Sequence, residues 1–153
     1  MCEVRSVKSE VLIPFIVSLL ENGKRARMSV TGMSMYPFLR SGVDTVELSP
    51  VNFDDIRVGD MVLGRRTSGE YIMHRVFKKD DDNFYMIGDA QTELDGPYSR
   101  QQLIAGVYRV WRKDKLIDCS NKFWKFLVVV WMYLRPFRPL IINSYRKLRS
   151  KGH

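Results

Sequence analysis

A mainly β fold, a compact twisted sheet or barrel-like arrangement with an amphipathic helix before it and a helical extension after it, is what this chain predicts. Three observations lead there. Through residues 26–118, short apolar runs alternate with polar residues and are separated at close spacing by Gly, Asp, Asn and Ser. Ahead of them, apolar residues recur at three- and four-residue intervals. Behind them, residues 119–153 turn helical, interrupted at Arg135-Pro136 and again at Pro139. With 153 residues, the chain can build one core but not two independent ones.

The elements run in order along the chain. In residues 1–25, Ser9 is placed to cap a helix whose apolar stripe is Leu12, Ile13, Phe15, Ile16, Leu19 and Leu20, and Asn22-Gly23 ends it. Residues 26–30 form a short strand, and Gly42 opens an alternating strand over residues 43–48. A connector over residues 50–57 leads to the Gly59-Asp60 turn and a strand at 61–66. Ser68-Gly69 then makes a hairpin turn into residues 70–78. After a turn at 80–83, Phe84-Tyr85-Met86-Ile87 is a strand ending at Gly88-Asp89. Residues 103–112 and 115–117 complete the sheet around Asp114.

Composition narrows the function classes. An apolar fraction of 45% argues against disorder, and a formal charge of +8 points to an acidic partner, either nucleic acid or an anionic membrane. Arg135, Arg138, Arg146, Lys147, Arg149 and Lys151 fall in the last 19 residues, directly after the aromatic and aliphatic run of residues 123–134. That pairing favours an anionic membrane surface, with no direct nucleic-acid contact. The run is too short to cross a bilayer alone, and extending it takes in Arg135 and Arg138, so it is expected to lie in the interface; docking on the protein's own core or on another subunit is the alternative. Residues 11–20 are too few for a span and precede no small-residue cleavage site, so a cytoplasmic protein, peripheral at the membrane, is expected. Cys2 and Cys119 lie far apart in no metal-ligand spacing, which argues against a disulfide framework or a zinc site.

The residues that bear chemistry come in a telling order. Ser34 sits among Gly, Met and Pro after a short strand; His74 is one of two histidines, the other being His153; Asp89 and Asp95 come next. A serine hydroxyl needs a base that titrates near neutrality, and His74 is the only interior candidate. Lys78 and Lys79 are poorer bases, beside the acidic turn Asp80 to Asp82. Either aspartate could orient the imidazole, with a modest preference for Asp89 because a Gly-Asp turn after a strand is rigid.

Four boxes, Gly32-Met33-Ser34-Met35-Tyr36-Pro37, Val58-Gly59-Asp60-Met61-Val62, His74-Arg75-Val76 and Gly88-Asp89-Ala90, resemble the ordered motifs of the signal peptidase I and LexA-type peptidase clan. The similarity covers about residues 26–112. Most bacterial members carry a lysine where this chain has His74, so the histidine form resembles the endoplasmic-reticulum and archaeal type. The resemblance implies a Ser/His/Asp peptidase that needs no cofactor and cleaves a precursor, leader or signal-type peptide. Ser34 would attack, His74 would move the proton, and Asp89 or Asp95 would hold the imidazole. Gly32, Met33, Met35 and Pro37 would shape the oxyanion and substrate side of the loop. Gly32 stands where many leader peptidases have a hydroxyl residue, leaving backbone N–H groups, that of Ser34 first, to stabilise the oxyanion. A LexA-like self-cleaving regulator or a non-catalytic binding module is the alternative, although residues 1–25 supply one helix and no helix-turn-helix.

Overall fold

A computed structural model describes residues 9–152, with side chains from Leu12 onward. Cys2 and His153 lie outside these residues, as does the capping side chain assigned to Ser9. Helix α1 (Ser9–Glu21) is followed by β1 (Ala26–Ser29), β2 (Asp44–Ser49), β3 (Met61–Arg65), β4 (Tyr71–Lys79), β5 (Asn83–Ile87), β6 (Asp95–Ser99), β7 (Leu103–Arg112) and β8 (Lys115–Asp118). Helices α2 (Lys122–Tyr133) and α3 (Arg138–Ser150) end the chain, separated by a 3-10 turn, Arg135–Phe137. Every strand pair is antiparallel, in the order β1-β2-β7-β3-β4-β5-β6, with β8 added to β7.

The sheet is thus mainly β as expected, but it is not closed: β1 and β6 remain edges, so the barrel-like description does not hold. The β2–β7, β3–β7, β4–β5 and β5–β6 ladders each carry a bulge, which bends and twists the sheet without bringing its two edges together. Strand β6 has no counterpart among the expected elements because Gly96 and Pro97 look like a turn; on an edge strand both are tolerated.

Alternation of side chains along the strands sorts the interior into two clusters. Ile16 and Leu20 of α1 pack with Val46, Leu48, Met61, Leu63 and Val107 on one face. Phe53, Ile56, Val62, Val76, Phe84, Met86 and Tyr98 fill the other. On α1 the expected stripe holds at Ile16 and Leu20, whereas Phe15 turns outward and Val17 is buried in its place. The turns obey their local chemistry. Gly69 adopts φ +96° in the hairpin, where Arg66 N–H donates to Glu70 O over 2.7 Å. Asp80 Oδ1 accepts the N–H groups of Asp82 and Asn83, which lower the Asp80 pKa.

Candidate active site

Register decides which residues share a face. His74 pairs with Val62 across β3–β4, while Arg75 pairs with Met61. His74 therefore points into the second cluster and Arg75 into the first. Val76 pairs with Met86, and Met86 pairs with Asp95, so Asp95 lies on the face of His74. Asp89 is reached from the opposite face. Its two carboxylate oxygens take Arg75 Nε at 2.8 Å and Nη2 at 2.7 Å, and both side chains are buried. Arg75 Nη1 donates to Gly59 O at 2.7 Å, and the guanidinium stacks on the Phe38 ring. The Gly-Asp turn that recommends Asp89 is present, closed by Gln91 N–H donating to Gly88 O, but its carboxylate serves Arg75.

His74 is almost wholly buried, at 3% exposure, and its Nδ1 has no hydrogen-bond partner. Burial lowers its pKa; the Asp95 charge opposes that, Arg66 adds to it, and Asp89 opposes it in turn. Asp95 Oδ2 takes Arg66 Nη2 at 2.8 Å and the Tyr98 hydroxyl at 2.9 Å. Burial pushes the Asp95 carboxyl up, but these two donors, together with the charges of Arg66 and His74, leave the pKa below its usual value. Arg66 and Tyr98 carry no motif of their own, so nothing in the sequence marks either one.

Ser34 reaches this region through the backbone. Ala90 N–H donates to Ser34 O over 2.9 Å, tying the serine loop to the loop after β5. Gly88 directly follows Ile87, the end of β5, whose partner Arg75 is next to His74 on β4. A Cβ on Gly88 would lie 2.7 Å from Ser34 O, so only glycine permits this approach. Met35 and Leu39 anchor the loop in the first cluster, Gly32 turns it at φ +78°, and Met33 is exposed. Pro37 lies beside Tyr36 and Arg40 in a groove of about 250 Å3 closed by Trp131, Ile141, Ile142 and Tyr145. Met35 thus supports the loop from the core side, while Met33 remains exposed. Among the described residues no hydrogen bond joins the Ser34 hydroxyl to the imidazole.

The helical tail, expected at the membrane or on the core, holds the same loop from behind. Trp131 Nε1 donates to Asp89 O at 2.8 Å and Arg135 Nε to Thr92 O at 2.6 Å. Arg138, fully buried, donates from Nη1 to Gly88 O at 3.1 Å and to Gln91 O at 2.8 Å, and from Nη2 to Trp131 O at 3.3 Å. Composition puts Arg138 among the cations on lipid and Trp131 among the inserted aromatics. Both instead face inward and donate to the loop carbonyls of Gly88, Asp89 and Gln91, of which Gly88 O also accepts Gln91 N–H at 2.9 Å.

A polar cleft of about 400 Å3 opens next to this network, lined by Arg66, residues 90–95 and Pro139 of α3. The remaining groups have structural roles. Lys79 Nζ donates to Phe53 O and Ile56 O, and Asp60 caps the turn through Arg57 N–H. Burial pushes the Cys119 thiol up to about 12, which makes it a poor nucleophile. No known protein family, curated protein or solved structure matches the chain.

Proposed function

We propose that this chain is a serine endopeptidase of the signal-peptidase and LexA-like type, cleaving a precursor, leader or signal-type peptide with Ser34, His74 and Asp95. The observation that carries the reading is the shared face of His74 and Asp95, with the serine loop held against the next position along the same strands. His74 takes the Ser34 proton as Oγ attacks the scissile carbonyl, then returns it to the leaving amine; water repeats the cycle on the acyl-enzyme. The buried, unpaired Nδ1 is the atom an orienting carboxylate would engage, and Asp95 is the carboxylate whose charge acts most strongly on the ring. Arg66 and Tyr98 keep Asp95 ionised beside it. Backbone N–H groups of the serine loop supply the oxyanion donors. The extended substrate would enter the polar cleft bordered by residues 90–95.

A fluorophosphonate probe tests this reading. The wild-type chain is expected to be labelled at Ser34, and labelling should vanish in both Ser34→Ala and His74→Ala. Labelling that survives His74→Ala overturns the assignment of the base. A non-catalytic binding module is the second reading, favoured by the engagement of Asp95 with Arg66 and Tyr98 in place of His74. A folded wild-type chain that resists the probe would select it.

A further inference from the structure

A helix apolar on every side is expected to be covered on every side. Helix α2 is not. Val128 and Trp131 are buried, whereas Phe123 is 69% exposed, Tyr133 83% exposed, and Phe126 and Val129 face outward between them. On α3, Ile142 is buried while Leu140 and Leu148 point out. Among the described residues, eleven of the eighteen exposed large apolar side chains fall within residues 123–148. No Asp or Glu occurs after Asp118, and Lys122, Lys125, Arg146, Lys147 and Arg149 are exposed on the same two helices, with Lys151 exposed just past the second.

We propose that the outer face of α2 and α3 is a docking surface for an anionic lipid bilayer, and that docking holds the Asp95 cleft at the bilayer surface. Charge selects this occupant: every charged side chain on the two helices is cationic, suited to phosphate headgroups, and the exposed aromatics beside them suit the acyl boundary. The helices lie on the surface and do not cross it. No single helix among the described residues is long and apolar enough to cross, and the only pair that qualifies together is bent by 72°. Crossing would also pull Arg138 and Trp131 off the carbonyls of Gly88, Asp89 and Gln91. Pro139, at the start of α3, lines the cleft with Arg66 and Asp95, so the face that meets lipid borders the opening. The substrate class, which rests on the peptidase reading, is then a peptide presented at the membrane surface.

Vesicle flotation of the full chain tests docking without requiring catalysis. Binding is expected to phosphatidylglycerol-containing vesicles and not to pure phosphatidylcholine, and Ser34→Ala should float like the wild type, so failure of the peptidase reading leaves this result standing. Phe126→Glu with Tyr133→Glu, both at exposed positions, should lower the partition coefficient by about tenfold or more with an unchanged circular dichroism spectrum. Lys147→Ala with Arg149→Ala should lower it by about fivefold or more. Hydrogen exchange with vesicles present should slow in residues 122–150 and at the rim, residues 90–95. Equal binding to both vesicle types, flotation unaffected by the Phe126 and Tyr133 changes, slowing confined to other segments, or burial of this face in a concentration-dependent dimer would each overturn the proposal.

Discussion

Replacing Asp89 by Asn separates a structural aspartate from an orienting one. The substitution preserves shape while removing the charge that Arg75 meets through two short bonds in a site closed to water. Breaking a buried pair at one partner costs about 3–5 kcal/mol, because the surviving charge stays desolvated. Gly59 O and the Phe38 ring remain as partners for Arg75, which places the expected loss near the lower end, at about 3 kcal/mol. With an m-value of about 2 kcal/mol/M in urea, the midpoint should fall by about 1.5 M. Trp131, whose indole donates to Asp89 O, makes fluorescence a local reporter of the transition. Asp95→Asn provides the contrast, since its pair with Arg66 is partly solvated and is worth about 1 kcal/mol or less. It should leave the midpoint nearly unchanged and abolish most Ser34 labelling. A urea shift below about 0.3 M for Asp89→Asn would refute the structural assignment, as would loss of labelling in Asp89→Asn with normal labelling in Asp95→Asn.

Three further outcomes are expected. Gly88→Ala drives a methyl against Ser34 O, which is backbone and cannot rotate away; a cost of about 1–3 kcal/mol and loss of Ser34 labelling should result, and a variant that labels normally would contradict the close approach. His74 has a pKa below its ordinary 6.5, so the unfolded chain binds the proton first: its contribution to stability is complete above pH 6.5 and declines as pH falls from there toward the folded value. The labelling rate should therefore reach its plateau before pH 6.5 on raising pH, and Asp95→Asn, which removes a charge that raises the pKa, should move the inflection lower; an inflection above 6.5 would contradict this. Arg138→Met strips a donor from the carbonyls of Gly88, Gln91 and Trp131; Gly88 O keeps the Gln91 N–H and Gln91 is solvent-exposed, so the expected cost is about 1–3 kcal/mol in all. Amide exchange in residues 88–92 should accelerate before global unfolding, and Arg138→Lys should recover part of the protection.

The strands with alternating residues and the turns marked by Gly and Asp are legible because period and turn chemistry are local. Strand β6 is not, since its Gly96-Pro97 pair reads as a turn until an edge position permits it. The same limit applies to the site. Ser34 and His74 stand out by residue type and order, but the choice between Asp89 and Asp95 depends on which face of β4 and β5 each reaches, and that depends on bulges in a ladder among three strands. Arg138 and Trp131 are misplaced for a different reason. Composition marks a basic, aromatic tail as lipid-facing, yet it carries no information about the distant loop carbonyls that these two side chains reach.

Those carbonyls redraw the boundary of the folding unit. By sequence, the sheet ends at residue 118, and the helices beyond it look like an appendage that could be trimmed. Removing them would strip the side-chain donors of Asp89, Gln91 and Thr92, leave Gly88 O with the Gln91 N–H alone, and uncover Tyr36 and Phe38 next to the serine loop. A shortened version could keep every strand and still lose the placement of Ser34. Loss of activity on such trimming would report a loosened loop, not a missing anchor, and point changes on the outer helix faces are the way to tell the two apart.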